Sequence, residues 1–344
     1  REAFETTWRG VGEDDPATIS YTSGTTADPK GIVLTHRNYT ANVEQGAQMV
    51  ELDPSWSSLV IIPWDHSFGH TVGLYILMLR GATLAAVQPG KSAMDTLRNI
   101  PENIKEVQPN FLLRVPALAA NFRKNIEKGI RQKGARVERL FQAALRNAYA
   151  YIGEGWHKGQ GLRAMRAPLH AVFDRIIISK IREDGFGGKL EFFIGGGAYL
   201  DIEMQRFFFA IGIPLYQGYG LTEAAPIIST NGPRAHKLGT SGRIVPDMDV
   251  RICDDEGNEL PVGDKGEIVV RGENVMAGYW KNPSATAEAL RDGWLHTGDL
   301  GFMDEDGYLY VLGRVKSLLI SSNGEKYSPE GIEEALVAGT PYIE

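Results

Sequence analysis

Ile19-Ser20-Tyr21-Thr22-Ser23-Gly24-Thr25-Thr26-Ala27-Asp28-Pro29-Lys30-Gly31 is the stretch on which the reading of this chain turns. A short apolar run leads into hydroxyls, two glycines and one lysine within a single turn. Glycine lets backbone N–H groups approach an anion with no Cβ in the way, and the Ser and Thr hydroxyls with one cation complete a phosphate cradle. Lys30 supplies the point charge. An NTPase P-loop needs Gly directly before the lysine and Ser or Thr after it, whereas here Pro29 precedes Lys30 and Gly31 follows. The loop is therefore a phosphate site of another kind, or a plain polar surface turn.

Outward from it, up to about Thr230, short apolar runs alternate with longer helical stretches, the pattern of a parallel α/β sheet. Strands are predicted at Ala17–Thr22, Leu59–Ile62, Ala82–Val87, Phe111–Val115, Leu190–Ile194 and Ile213–Tyr216, with helices at Arg37–Val50, Thr71–Leu79 and Pro116–Tyr151. Gly195-Gly196-Gly197 and Gly218-Tyr219-Gly220 follow strands, where open α/β sheets bind ligands. From Gly239 to Gly313 the texture changes to short β runs punctuated by turns such as Asp255-Glu256-Gly257-Asn258 and Asp304-Glu305-Asp306-Gly307, which reads as a small antiparallel subdomain. Beyond Arg314, Ser328 and Pro329 mark the start of a helix in a third region. The predicted division is an α/β core at 1–238, a β subdomain at 239–313, and a hinge with the start of a C-terminal domain at 314–344. No internal repeat or low-complexity tract appears.

The chain has 344 residues, 43% hydrophobic, with a net charge of −7. That balance gives no basic footprint, so nucleic acid is not an expected partner. Arg123, Lys124, Lys128, Arg131, Lys133, Arg136 and Arg139 cluster locally and read as a solvated helix face. The single cysteine, Cys253, sits in the strand-like run Val250-Arg251-Ile252-Cys253; it cannot form an internal disulfide, which suits a reducing cytoplasm. No run of about 18 apolar residues and no signal-peptide core is present, so membrane contact is expected to be at most peripheral. The phosphate loop comes within the first few dozen residues and no initiator Met precedes it, so the sequence is expected to be a piece of something longer.

Three further segments carry chemistry. Tyr216-Gln217-Gly218-Tyr219-Gly220-Leu221-Thr222-Glu223 places an aromatic face, a hydroxyl and a hard carboxylate on one tight turn. Gly293-Trp294-Leu295-His296-Thr297-Gly298-Asp299-Leu300-Gly301, with Gly313-Arg314 beyond it, supplies a carboxylate and a guanidinium able to bind a vicinal diol. Pro63-Trp64-Asp65-His66-Ser67-Phe68-Gly69 has a Pro-x-x-His-x-x-Gly pattern. Each of these strings alone is also compatible with an ordinary turn or a structural histidine.

Taken in order along the chain, the segments resemble the motifs of the adenylate-forming superfamily, which comprises acyl-CoA synthetases, luciferases and the adenylation domains of peptide synthetases. The resemblance implies a multi-layered α/β domain with a small β-rich subdomain and a mobile C-terminal domain. It implies ATP and AMP contacts from Thr22, Ser23, Gly24, Thr25, Thr26 and Lys30, from the adenine-side segment Gly195, Gly196, Gly197 and Ala198, and from Gln217, Gly218, Tyr219, Gly220 and Thr222. Within that set Tyr219 would stack adenine, Thr222 would bond the α-phosphate, Glu223 would ligate Mg2+, and Asp299 with Arg314 would hold the ribose. Thr222, Glu223 and Lys30 are the residues implied in catalysis. His66, Phe68, His70 and Gly195 would line the acyl site, Lys316 would be the hinge, and Gly324 and Glu325 would face the CoA channel. One departure is Ala27, where the family usually has Gly.

The segments Phe111-Leu112-Leu113-Arg114-Val115-Pro116, the helical insert after it, and Lys180-Ile181-Arg182-Glu183 leading to the Gly-rich turn most resemble AMP-forming long-chain fatty acid–CoA ligases. That resemblance implies adenylation of a long-chain fatty acid by MgATP, then transfer to CoA with release of AMP, and a homodimer is compatible with it. The family's adenylation lysine has no match between Ser317 and Glu344, nor is its N-terminal part present, so the 344 residues are expected to adenylate poorly by themselves. The alternatives are an acyl-AMP ligase that loads a carrier protein and a non-catalytic relative that only binds acyl-adenylate.

Overall fold

The structure is a computed structural model; it describes residues 2–22, 29–62, 64, 66–113, 116–153, 155, 158–197 and 201–315, and two short strands at 319–320 and 326–327. Strands β1 (Pro16–Thr22) and β2 (Lys30–Thr35) form an antiparallel hairpin in which Thr22 pairs with Lys30. The loop of the opening motif is thus held between two paired residues. Strands β3 (Ser57–Val60), β4 (Thr83–Ala86), β5 (Phe111–Leu113), β6 (Phe192–Gly195) and β7 (Leu215–Gly220) run parallel, and β8 (Ile227–Thr230) and β9 (Arg243–Ile244) close the sheet antiparallel. The order β4-β3-β5-β6-β7-β8-β9 reverses direction between β3 and β5. Such a switch opens a crevice at the carboxyl ends of the strands. The alternation read from the sequence is therefore present, with one correction: the first strand belongs to an antiparallel hairpin outside the parallel sheet, and β2 was not anticipated.

The remaining strands are β10 (Met248–Cys253), β11 (Gly266–Gly272), β12 (Gly278–Tyr279), β13 (Leu290–Arg291), β14 (Trp294–Met303) and β15 (Leu309–Arg314). Five of them form a second antiparallel sheet, while β12 leaves it and pairs with β2. One side chain explains that excursion. Asn38 closes a capping box with Thr35 at the start of the helix His36–Met49, and its amide Nδ2 donates to the carbonyls of Glu273 and Val275 at 2.7 and 2.8 Å. The loop before β12 is thereby fixed against β2.

Two apolar cores result. The larger lies between the parallel sheet and its helices, with Phe111, Phe193, Phe207 and Phe208 fully enclosed. The smaller gathers Ile32 and Leu34 from the hairpin, Ala224 and Ala225 from the turn after β7, and Ile268, Val270 and Leu295 from the second sheet. Each fully buried side chain of this size contributes about 1.5–3 kcal/mol of transfer free energy. The predicted helix Pro116–Tyr151 is two helices, Pro116–Gln132 and Ala135–Ile152, separated at Gly134, whose φ of +98° no helix allows. Among the described residues no helix is long and apolar enough to cross a membrane.

Candidate functional site

The turn that follows β7 is braced from four directions. Thr71 Oγ1 donates to Ala225 O at 2.7 Å, Asn42 exchanges two bonds with Ile227, Asn274 Nδ2 donates to Ala224 O at 2.8 Å, and Met276 N donates to Glu223 O at 2.8 Å. These contacts hold Leu221–Pro226 in one shape before any ligand arrives. Gly196 shows how close the neighbouring strand ends come: a Cβ there would sit 2.6 Å from Gly218 O. Gly195 pairs with Gln217 in the register of β6 and β7, and the Gln217 carbonyl is tied to Asn231.

Tyr219 reaches from this turn to the second sheet, its hydroxyl donating to Asp299 Oδ2 at 2.6 Å. Asp299 Oδ1 pairs with Arg314 Nε at 3.0 Å across the β14–β15 register, and Arg314 Nη1 donates to Thr297 O. Burial, reinforced by the Asp299 carboxylate, pushes the Tyr219 phenol well above its ordinary value, so it stays a donor. Asp299 is thus held by donors from both the turn and the second sheet, at the place where the motif reading expects a ribose.

Glu223 Oε1 accepts from the Tyr279 hydroxyl at 3.0 Å, and Lys30 Nζ lies 5.0 Å from the centre of the Tyr279 ring. Tyr279 comes from β12 and was not singled out by the sequence reading. It sits between the cation of the opening motif and the carboxylate proposed for Mg2+. Burial first, and the Glu223 charge second, raise its pKa, so it too remains a donor. Ser67 Oγ lies 3.4 Å from Thr222 Oγ1. Among the described residues no group of three or more His, Cys, Asp or Glu side chains is arranged to hold a metal. A single carboxylate is enough for Mg2+ that arrives with phosphate oxygens, so Glu223 fits that use.

From the turn, a cavity of about 310 Å3 runs inward. It is lined by Gly195–Gly197 and Gly218–Thr222, by His66 and Phe68, and by the buried Val50, Leu52, Ile76 and Phe111. Val72 and Ile76 enter this wall from a helix, Ser67–Arg80, that widens into a π-turn at Thr71–Tyr75. His70 is not part of the wall. Its Nδ1 meets Tyr39 OH at 3.2 Å, and that hydroxyl also meets Thr18 Oγ1, so His70 joins the hairpin to the helices. Ser23, Gly24, Thr25, Thr26, Ala27, Ala198, Lys316, Gly324, Glu325 and the Thr22 side chain lie outside the described residues.

A family model described as AMP-binding enzyme matches residues 5–280. A long-chain-fatty-acid–CoA ligase of Mycobacterium tuberculosis is 33% identical over 329 residues, covering 94% of this chain and 50% of the relative. A chloroplastic long-chain-fatty-acid–acyl-carrier-protein ligase of Arabidopsis thaliana is 32% identical over 361 residues, covering 94% and 48%. This chain spans about half the length of the curated relatives it matches. Among solved structures, o-succinylbenzoate coenzyme A synthetase of Bacillus subtilis with its acyl-adenylate intermediate gives a TM-score of 0.70 at 25% identity, over 95% of this chain and 55% of that one. The same enzyme with ATP and a magnesium ion gives 0.68 at 25% identity, over 96% and 56%. With the family model spanning most of its length and the fold shared throughout, this chain belongs to the AMP-binding enzyme family, the adenylate-forming superfamily its motifs resemble.

Proposed function

We propose that this chain carries the adenylation site of an AMP-forming ligase that activates a long fatty acid and passes it to CoA. The observation that carries the reading is the continuity between the nucleotide turn and the apolar cavity. A carboxylate placed at Gly195–Gly197 would face Thr222, while its hydrocarbon tail would run past Phe68 and Ile76. In the first half-reaction a carboxylate oxygen bonds the α-phosphorus of ATP, the bridge to the β-phosphate breaks, and pyrophosphate leaves. Thr222 would donate to the α-phosphate, Lys30 would offset phosphate charge, and Glu223 would hold Mg2+, which when bound would shield the charge of the leaving group. In the second, a thiolate sulfur bonds the acyl carbon and AMP departs. No protein nucleophile is needed. The similarity to a carrier-protein ligase supports a second reading in which a carrier thiol replaces CoA, and an acceptor assay with both thiols separates the two.

Calorimetric titration with non-hydrolysable palmitoyl-, acetyl- and benzoyl-adenylate mimics tests the substrate class. Selective binding of the palmitoyl mimic is expected; equal affinity for all three sinks the long-chain assignment. Gly46 gives a sharper form of the test. It lines the cavity, and a Cβ there would stand 2.8 Å from Ile227 Cδ1 and 2.9 Å from Ile76 Cδ1. Gly46→Leu is expected to weaken palmitoyl-adenylate by about 10-fold or more, about 1.4 kcal/mol of binding free energy, while sparing the acetyl mimic.

A further inference from the structure

Ser67 and Thr71 stand one turn apart on the helix Ser67–Arg80, and both are enclosed, at 1 and 0% exposure. Hydroxyls that deep need partners. Ser67 Oγ donates to Thr222 Oγ1 at 3.4 Å, and Thr71 Oγ1 donates to Ala225 O at 2.7 Å. The two partners are themselves joined, because Ala225 N donates to Thr222 O at 3.2 Å. One helix therefore grips both ends of the tight turn Thr222–Ala225. On the next ridge of the same helix, Phe68, Val72 and Ile76 line the apolar cavity.

The grip starts from a fixed point. His66 Nδ1 accepts from Phe68 N at 3.1 Å and so caps the helix where Ser67 leaves it. From Thr71 the helix widens, with Ile76 N donating to Thr71 O across the π-turn. On the far side of the contact, Ala225 has φ +60° and ψ +36°, the left-handed region that a residue with a Cβ seldom occupies. The bond from Thr71 holds it there. A hydroxyl has one proton to give. Accepting from Ser67 settles where the proton of Thr222 points: away from Ser67, free to meet an anion.

We propose that Ser67 and Thr71 are positioning residues for the α-phosphate. Ser67 turns the Thr222 hydroxyl outward as a donor, and Thr71 fixes the backbone from which that hydroxyl projects. The inference rests on the adenylation reading, in which Thr222 meets the α-phosphate, and adds the two buried groups that aim it. An anion drawing on the Thr222 proton makes the Thr222 oxygen a better acceptor, so the Ser67 contact shortens when the nucleotide binds.

The ratio of the affinities for AMP and adenosine isolates what the α-phosphate adds, and calorimetric titration of this chain measures it. Thr222→Val should lower that ratio about 10-fold. Ser67→Ala and Thr71→Val should each lower it about 3- to 10-fold with adenosine affinity unchanged, and Thr71→Ser, which keeps the hydroxyl, should retain the parent ratio. A merely structural role would weaken adenosine and AMP together and leave the ratio intact, a result that overturns the proposal. It is also overturned, with the adenylation reading left standing, if Thr222→Val lowers the ratio while Ser67→Ala or Thr71→Val does not. An unchanged ratio in Thr222→Val would mean that Thr222 does not meet the phosphate, and the role given to that residue would fall together with this proposal.

Discussion

Tyr279 touches both charged groups of the phosphate end, the Lys30 ammonium through its ring and the Glu223 carboxylate through its hydroxyl. Removing the hydroxyl should loosen Glu223 without altering its charge. Tyr279→Phe is therefore expected to weaken ATP binding roughly 3- to 10-fold when Mg2+ is present and to leave metal-free nucleotide binding unchanged, as calorimetry with and without the metal would show. A different residue sets a pH dependence. His236 is packed against Phe209 and Tyr216, with ring centres 4.7 and 5.7 Å away, and burial holds its pKa below the ordinary 6.5. The unfolded chain takes up a proton there more readily than the folded one, so the contribution is full above pH 6.5 and fades as pH falls below it. The denaturation midpoint should fall over that window, and His236→Phe should flatten the slope; an unaltered slope would assign the titration elsewhere. Lys30, Tyr219, Thr222, Glu223 and Asp299 stood out as candidates because their chemistry is concentrated in short strings. Tyr279 did not, because Gly278-Tyr279 carries no motif and gains its meaning from a strand pairing.

The strand ends β6 and β7 are built for backbone contact. Gly196→Ala would drive a methyl into the Gly218 carbonyl. A loss of about 1–3 kcal/mol in urea unfolding is expected, together with weaker adenylate binding, because no flexible side chain can give way. The parallel strands β3, β5 and β6 were legible from their apolar runs, since both their faces are covered. The hairpin was misread for the same reason: Ala17, Ile19 and Tyr21 look like a buried run, yet Ile19 and Tyr21 are 37 and 65% exposed. The single predicted helix at 116–151 hid a break because Gly134 is one residue inside a long periodic pattern.

The smaller core binds hairpin, nucleotide turn and second sheet into one body, and the Tyr219–Asp299 bond spans the turn and that sheet. An adenylate bound there should protect both sides at once. Amide exchange is expected to slow together in β7 and β14, by up to about 2.7 kcal/mol at a ligand concentration 100 times Kd; protection of β7 alone would mean that Asp299 takes no part. What sequence could not supply at this scale is the crossing of β12 to β2, which depends on partners far apart in the chain.

Asn38 gives that distance a direction in time. Its two donor bonds reach carbonyls 235 and 237 residues further on. On a ribosome, the phosphate hairpin emerges before β12, and its lysine waits, without its tyrosine and carboxylate neighbours, until the stretch up to Tyr279 has been made. Contacts of such separation form late. The nucleotide site is thus completed only once Tyr279 has been made, so any nascent chain that stops short of it would carry every residue of the opening motif and still lack the aromatic face between Lys30 and Glu223.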